Sequence, residues 1–208
     1  HNEIERGIIN KKKSMFDTIV VWTPKTVRDI GWGWEWLARA LHQSYINTLG
    51  IDVVPELVDT ANKNGCGVFK LVSYEELAQG AVKETFDIIV CNFSLLGYES
   101  VISIFKHIPC MLNDGGYFII QTIHPVSGCG DFKYEDGWRK GSWTGFNNDF
   151  TNPPPWYFRT LETWKKLFQS NDFKINEIIE PINPKTKDMA SVIFVGQLAF
   201  SDESQSKP

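Results

Sequence analysis

The sequence predicts an α/β fold in which helices cover both faces of a mostly parallel sheet. From about residue 15 to residue 123, short apolar or β-branched runs alternate with segments of helical periodicity. The run FDIIVCNF at 86–93 is almost continuously apolar, which is typical of a strand that is buried on both faces. The third observation is a strand, a glycine turn and a helix in direct succession over Thr26–Leu41.

This strand–turn–helix corner also predicts a ligand site. Asp29 lies near the end of the first strand, and Gly31 and Gly33 form the turn that opens the helix. A helix that begins after a glycine turn presents unpaired N–H groups and a positive dipole end, which suit the negatively charged part of a ligand. Asp52 ends the second predicted strand, where a carboxylate reaches the two ribose hydroxyls of a nucleotide in doubly wound sheets.

The other elements follow in order along the chain. Proline at the first turn and an Asn-Gly end favour a helix over residues 55–64, and Ser73 with Glu76 forms a capping box for a short helix. Further helices are predicted at residues 15–20, around 101–108 and after Thr160. The remaining predicted strands are residues 46–52, 67–71, 86–93, 117–123, 173–179 and 191–198, with a turn at 113–116.

Length, charge and cysteine usage limit the class of protein. The 208 residues fit one domain, which we expect to span 1–208, and a net charge of −4 argues against a nucleic-acid partner. The four cysteines form no C-x-x-C pair, so neither a zinc site nor another metal site is indicated. No signal peptide is evident and no apolar run approaches the ~18 residues of a membrane span. We therefore expect a cytoplasmic protein without a membrane partner; the sequence does not indicate its oligomeric state.

Residues 126–158 differ from the rest of the chain in periodicity and in aromatic content. They lack any sustained period, and a long irregular segment inside a compact domain is usually functional or disordered. Their aromatic richness argues against disorder. We therefore predict a lid insertion over the carboxyl edge of the sheet, which carries Phe132, Tyr134, Trp138, Trp143, Phe146, Phe150, Trp156, Tyr157 and Phe158.

The glycine corner resembles a known family. Asp29-x-Gly31-x-Gly33 is similar to the first motif of class I S-adenosylmethionine-dependent methyltransferases, and Leu112-x-x-Gly115-Gly116 is similar to their turn before the fifth strand. The order of elements matches the same family over roughly residues 15–200. Three stretches resemble a bacterial small-molecule subgroup: residues 121–125, 136–139 and 156–160.

The resemblance implies a fold and an activity. The fold is a doubly wound, Rossmann-like, mostly parallel seven-stranded sheet whose last strand inserts antiparallel beside the fifth. The activity is methyl transfer from S-adenosylmethionine to a small-molecule acceptor. Carried onto this chain, Gly31 and Gly33 let the backbone approach the methionyl part of the cofactor, Asp29 positions its amino group, and Asp52 accepts hydrogen bonds from the ribose.

Further cofactor contacts follow from the resemblance. Ser73 and Tyr74, after the third strand, flank the adenine, and Asn92 and Phe93, at the end of the fourth, close the methionyl side. Two of these residues have a structural alternative. Ser73 caps a helix whatever else it does, and Asn92 is equally suited to satisfy local backbone groups.

The acceptor side is predicted from residues around the lid. His124 ends the fifth strand and is a candidate general base, although a histidine before proline is more often a turn residue. The aromatic lid suits a flat, apolar or cationic acceptor. Arg159 either binds an acceptor carboxylate or ties the lid down, and the sequence favours the second. The predicted substrate-binding residues are Trp138, Trp156, Tyr157 and Arg159.

Two other functions stay open on the sequence alone. The family's first motif usually continues to a third glycine, and this chain has Glu35 there, preceded by Trp34. A degenerate, non-catalytic member that keeps the fold as a binding module is therefore the alternative. A nicotinamide-dependent dehydrogenase is less favoured, because a dinucleotide fingerprint requires glycine where this chain has Trp36.

Overall fold

The computed structural model describes residues 15–31, 36–65, 67–141, 154–182 and 187–200. Its strands are named here in chain order. They are β1 (Thr26–Ile30), β2 (Asn47–Asp52), β3 (Val68–Leu71), β4 (Phe86–Asn92), β5 (Leu112–Ile123), β6 (Gly137–Arg139), β7 (Trp156–Phe158), β8 (Phe173–Ile179) and β9 (Ser191–Leu198).

The helices alternate with these strands. They are α1 (residues 15–20), α2 (Trp36–Gln43), α3 (Pro55–Asn64), α4 (Tyr74–Ala78), α5 (Glu99–His107), α6 (Pro125–Cys129) and α7 (Leu161–Gln169), with a 3-10 turn at Ile108–Met111. The predicted caps are present: Gly65 ends α3 in the left-handed conformation, and Ser73 and Thr160 cap α4 and α7. In the described part of the chain, no helix is long and apolar enough to span a membrane.

The main sheet has seven strands in the order β3-β2-β1-β4-β5-β9-β8. The pairs β1–β2, β2–β3, β1–β4 and β4–β5 are parallel, whereas β9 is antiparallel to both β5 and β8. The predicted doubly wound sheet with an antiparallel last strand beside the fifth is confirmed. From β1 the chain continues to β2 and β3 on one side of the sheet, and from β4 it continues to β5 on the other side. The topological switch point therefore lies at the carboxyl ends of β1 and β4, where ligands bind in such sheets.

Each face of the sheet carries its own core. One face packs against α1 and α2 and buries Met15, Ile19, Val27, Leu37, Leu41, Ile88, Val90, Ile119, Ile193 and Val195. The other face packs against α5 and α7 through aromatic contacts. Phe105 meets Phe118 and Phe168 edge to face at centroid distances of 5.1 and 5.0 Å. A sheet covered on both faces explains why β4 is almost continuously apolar.

Strand β5 begins earlier than the sequence indicates. Residues 113–116, expected as a turn, belong to a strand that starts at Leu112, and the register of β4 and β5 shifts between Phe86 and Ile88. At Gly116 a side chain would lie 2.8 Å from Asn113 O and 3.0 Å from Asp87 O. The glycine pattern therefore marks an irregular, closely paired strand start.

The described parts of 126–158 contain regular structure that the lack of periodicity did not predict. Residues 125–129 form α6, and β6 and β7 pair as a two-stranded antiparallel ribbon in which Trp138 is opposite Tyr157. Three-residue strands are too short to give a recognisable alternation. Residues 142–153, with three of the aromatics assigned to the lid, lie outside the described residues.

Candidate active site

The corner after β1 is built around Gly31. Its N–H donates to Ile51 O of β2 at 2.9 Å, and its φ is 67°, in the left-handed region that favours glycine. A Cβ at this position would lie 2.5 Å from Ser94 Cβ and 3.1 Å from the Tyr74 hydroxyl oxygen. The turn and the segment after β4 therefore approach each other closely only because residue 31 has no side chain. Gly33, Trp34 and Glu35 lie outside the described residues.

Asp29 is a buried carboxylate directly before this corner. Its side chain is 1% exposed, and within the described part of the chain its Oδ1 has no hydrogen-bond partner. Burial, together with the negative charge of Asp52, raises the pKa of Asp29 to about 7. A buried acceptor oxygen without a donor fits a ligand ammonium group, which is the role that the sequence predicts for Asp29.

Asp52 is held at the end of β2 by its own turn. Oδ1 accepts from Val53 N at 2.7 Å and Val54 N at 3.0 Å, and the residue is 8% exposed. These bonds fix the plane of the carboxylate. The two valines, which the sequence reasoning did not select, leave apolar side chains exposed beside it at 57% and 38%. The sequence feature that could have identified the two valines is their position directly after Asp52, the last residue of β2.

The structure separates the roles of Ser73 and Tyr74. Ser73 completes a capping box: its Oγ accepts from Glu76 N at 3.1 Å and donates to Glu76 Oε2 at 2.9 Å. The Tyr74 hydroxyl instead crosses to the segment after β4 and donates to Ser94 O at 3.1 Å. Burial raises the pKa of Tyr74. Tyr74 thus lies at the Gly31 corner, whereas the hydroxyl of Ser73 is used by its helix.

The end of β4 supplies the other wall. Asn92 is paired with Gln121 of β5, and within the described chain its buried Oδ1 has no partner. Phe93 has a φ of 55°, uncommon for a bulky residue and frequent at functional sites, and its N–H donates to Gln121 O at 2.8 Å. Ser94 then donates to Ile30 O at 2.8 Å. This serine closes the corner and was not predicted from the sequence.

Asp29 and Asn92 continue the same face of the sheet. Val27 on β1 and Val90 on β4 belong to the core under α1 and α2, and side chains alternate along a strand. Asp29 and Asn92, two residues further along each strand, therefore point to that face as well. Both carry a buried oxygen that lacks a donor among the described residues, so this face of the switch point is prepared for a ligand with N–H groups.

The ribbon brings together only part of the predicted acceptor site. Tyr157 N donates to Leu96 O at 2.8 Å, and its ring contacts Tyr98 at 4.6 Å and Trp138 at 5.5 Å between centroids. Trp156 lies on the other side of the ribbon, because neighbouring residues of a strand alternate. Its ring packs 5.9 Å from Phe158 and faces Gly128 of α6. The structure therefore groups Trp138 and Tyr157 and places Trp156 apart from them.

Arg159 is buried where the ribbon joins α7. It is 3% exposed, and its Nη2 donates to Tyr98 O at 3.0 Å. Burial lowers its pKa to about 10. It lies against the same two tyrosines that the ribbon brings together, so Arg159 belongs with the Trp138–Tyr157 group.

His124 is a buried cap at the start of α6. Its Nδ1 accepts from Val126 N at 3.2 Å, so the ring proton resides on Nε2, which lies 2.9 Å from Glu180 Oε1. Only 1% of the residue is exposed. Both ring nitrogens are engaged in this arrangement, which favours a structural role over the predicted general base.

Substitution of His124 tests this. We expect His124→Ala to lower the free energy of unfolding by about 1–3 kcal/mol, from the lost cap and the lost bond to Glu180. His124→Asn, which restores a cap acceptor, should recover about half of this loss in urea denaturation. A general base would instead show its loss in turnover, by roughly 10²–10⁴-fold. A drop of that size with unchanged stability would restore the base assignment.

The fold and the corner together define a class of protein. A seven-stranded sheet in this order, a glycine turn flanked by Asp29, and Asp52 at the end of β2 are the architecture of class I S-adenosylmethionine-dependent methyltransferases. The sequence model of a family described as a methyltransferase domain matches residues 12–178. The chain belongs to this family. It is an enzyme, and S-adenosylmethionine is its cofactor.

Several solved structures of methyltransferases share this fold. An S-adenosylmethionine-dependent methyltransferase from Mesorhizobium loti has a TM-score of 0.64 and 17% identity, covering 83% of this chain and 90% of that chain. An N1-methyltransferase of Burkholderia thailandensis has a TM-score of 0.68 and 13% identity, covering 90% and 78%. The magnesium protoporphyrin IX methyltransferase of Synechocystis has a TM-score of 0.63 and 16% identity, covering 92% of this chain and 84% of that chain. No curated protein sequence matches the chain.

Proposed function

We propose that this chain transfers the methyl group of S-adenosylmethionine to a small-molecule acceptor bound between the switch point and the lid of residues 126–158. The observation that carries the proposal is the bond from Tyr157 N to Leu96 O, which fastens the aromatic ribbon to the segment that leads from Asn92. An acceptor pocket in this position is bounded by Tyr98, Trp138 and Tyr157. Such a pocket is suited to a small, flat molecule.

The neighbours give independent support for a small acceptor. The Burkholderia enzyme was crystallised with 1,6-didemethyltoxoflavin and S-adenosylhomocysteine, and the Synechocystis enzyme is named for magnesium protoporphyrin IX. Both acceptors are small molecules. The net charge of −4 supports the same class over a nucleic-acid acceptor. A cytoplasmic location stays a prediction of the sequence.

On the cofactor side, we propose the roles that the resemblance implies. Gly31 and Gly33 admit the methionyl part, and Asp29 accepts a hydrogen bond from its ammonium group. Asp52 accepts from the ribose hydroxyls. Val53 and Val54 offer an exposed apolar surface next to Asp52, on the side where Ser73 and Tyr74 are predicted to flank the adenine.

The chemistry asks mainly for positioning. The cofactor supplies an already activated methyl group, so the protein must hold the acceptor atom in line at about 3–3.5 Å and keep water out. Asn92 and Phe93 bound the methionyl side, and the ribbon closes the acceptor side. A proton must be removed only if the acceptor is an uncharged amine or alcohol.

Parallel titrations with S-adenosylmethionine, S-adenosylhomocysteine and NAD test the cofactor side. Either sulfur ligand at ~100 times its dissociation constant should raise the free energy of unfolding by ~2.7 kcal/mol. NAD should leave the melting temperature unchanged. Incubation of the protein with methyl-labelled cofactor and a panel of small acceptors should then transfer label. Cofactor binding with no transfer to any acceptor of the panel would count against a small-molecule acceptor.

Asp52→Asn tests the ribose contact. The amide keeps the shape of the carboxylate but loses its charge-assisted acceptor pair, so we expect affinity for S-adenosylhomocysteine to fall by about 1.5–3 kcal/mol in calorimetry. Asp59→Asn on the exposed face of α3 is the matched control and should leave the affinity unchanged. Equal affinities of the Asp52 variant and the parent would remove Asp52 from the cofactor site.

A further inference from the structure

Arg159 is a buried cation at the junction of β7 and α7. It is 3% exposed, and arginines buried to this degree are normally paired with a carboxylate. Within the described residues, no acidic side chain forms an ion pair with it. Its Nη2 is satisfied by Tyr98 O, but its buried Nη1 has no hydrogen-bond partner there. An unpaired donor on a buried charge is costly unless a ligand completes it.

The carboxylate whose charge acts on Arg159 already has hydrogen-bond partners of its own. Asp136 favours the charged form of Arg159 electrostatically. However, its Oδ1 accepts from Thr160 N at 2.8 Å and its Oδ2 accepts from Thr163 Oγ1 at 2.8 Å. Asp136 thus fastens the start of α7 and compensates Arg159 only from a distance.

The surroundings of Arg159 select the sign of a ligand charge. Its guanidinium carbon lies 4.8 Å from the ring centroid of Tyr157, 5.2 Å from that of Trp164 and 5.9 Å from that of Tyr98. Aromatic rings alone would suit a cationic acceptor. With a guanidinium already held against them, a second cation is repelled and an anion is attracted.

Arg159 is also close to the cofactor corner along one short segment. Ser94 bonds Ile30 O beside Gly31, and Tyr98, four residues later, accepts the bond from Arg159. Four residues span at most about 14 Å. A molecule that reaches from the corner to Arg159 is therefore small.

We propose that the methyl acceptor carries a carboxylate that binds Nη1 of Arg159, with the methyl-accepting atom directed toward the corner at Gly31. This inference rests on the proposed function. Because Nη1 is enclosed, the carboxylate reaches it when Tyr98 or Tyr157 turns aside. No hydrogen bond from either tyrosine hydroxyl to another described residue opposes this rotation.

The test compares acids with amides of the same shape on protein saturated with S-adenosylhomocysteine. The probes are 4-hydroxybenzoate against 4-hydroxybenzamide and indole-3-acetate against indole-3-acetamide, followed by ligand-observed NMR. We expect at least one acid to bind about tenfold or more tightly than its amide, since a charge-assisted bond is lost in the amide. The parent protein alone can overturn the inference. It does so if neither acid binds, or if acid and amide bind equally in both pairs.

Two variants locate the preference. Arg159→Gln should abolish the acid preference, and Arg159→Lys should retain part of it. Arg139→Gln is the matched control: this arginine also lies on two rings of the lid, at 4.9 and 5.0 Å, but donates to the carbonyl of Glu135. It should keep the preference. An acid preference that survives Arg159→Gln would refute the assignment. If the parent protein does not bind S-adenosylhomocysteine, the result counts against the proposed function instead.

Discussion

Asp29→Asn is expected to stabilise the ligand-free protein at pH 8 and to weaken its affinity for the cofactor. The carboxyl group has its pKa raised from 3.8 to about 7 by burial and by Asp52. A difference of about 3 pKa units corresponds to about 4 kcal/mol, which is the most that ionised Asp29 costs the fold. Asparagine has a similar shape and no charge, so it removes this cost.

The pH dependence has a defined sign. The pKa of Asp29 is higher in the folded chain than in the unfolded one, so the folded state holds a proton that the unfolded state has released. Stability is therefore complete below pH 3.8 and is lost as the pH rises to about 7. We expect the advantage of Asp29→Asn to be largest at pH 8 and to fall to less than half by pH 5, measured by urea denaturation. A pH-independent advantage would contradict this.

Cofactor binding should show the reverse preference. An ammonium group binds the ionised carboxylate, so affinity of the parent protein should increase with pH up to about 7 and then level off. Asp29→Asn should remove this slope and weaken binding by about 1.5–3 kcal/mol. Asp17→Asn, at an exposed position on α1, is the control and should change neither slope nor affinity. Unchanged affinity in the Asp29 variant would leave its buried oxygen without a ligand role.

Most of the fold could be predicted because its signals are local. The apolar run of β4 predicts that strand by itself. Ser73 and Thr160 predict the starts of their helices, because each side chain accepts a hydrogen bond from the N–H group three residues later. The start of β5 could not be read in this way. Its glycines look like a turn, and only the pairing of Leu112 with Phe86 across a register shift shows that they are strand. Such pairing is a tertiary property that local propensity does not contain.

In the candidate site too, local signals could be recognised in the sequence and contacts between distant residues could not. Asp29, Gly31 and Asp52 could be selected because each lies at or directly after the end of a strand, at a fixed place in the motif. Ser94 could not, since its contact with Ile30 joins residues 64 positions apart. The partner of His124 is Glu180, 56 positions away, and without it the histidine looks like a free base. Contacts between residues far apart in the chain are thus what the sequence alone could not indicate.

Gly31→Ala is expected to lower both the stability of the protein and its affinity for the cofactor, and Gly65→Ala separates the causes. The two glycines have nearly the same φ, 67° and 69°, so alanine suffers the same left-handed strain at both, about 1–2 kcal/mol. At Gly65 a Cβ meets nothing within 4 Å, whereas at Gly31 it lies 2.5 Å from Ser94 Cβ. Overpacking of this kind adds about 1–3 kcal/mol.

The difference between the two variants therefore measures the close approach at the corner. We expect Gly31→Ala to cost about 1–3 kcal/mol more than Gly65→Ala in urea denaturation, because Ser94 and the segment after β4 must move away from Ile30. That movement displaces Asn92 and Phe93 as well, so S-adenosylhomocysteine should bind at least tenfold more weakly to Gly31→Ala, and with parent affinity to Gly65→Ala. Ser94→Gly, which removes the side chain that the new methyl group meets, should recover part of the stability in the Gly31→Ala background. If the two alanine variants lose equal stability and bind equally well, the corner tolerates a side chain, and Gly31 serves only its backbone conformation.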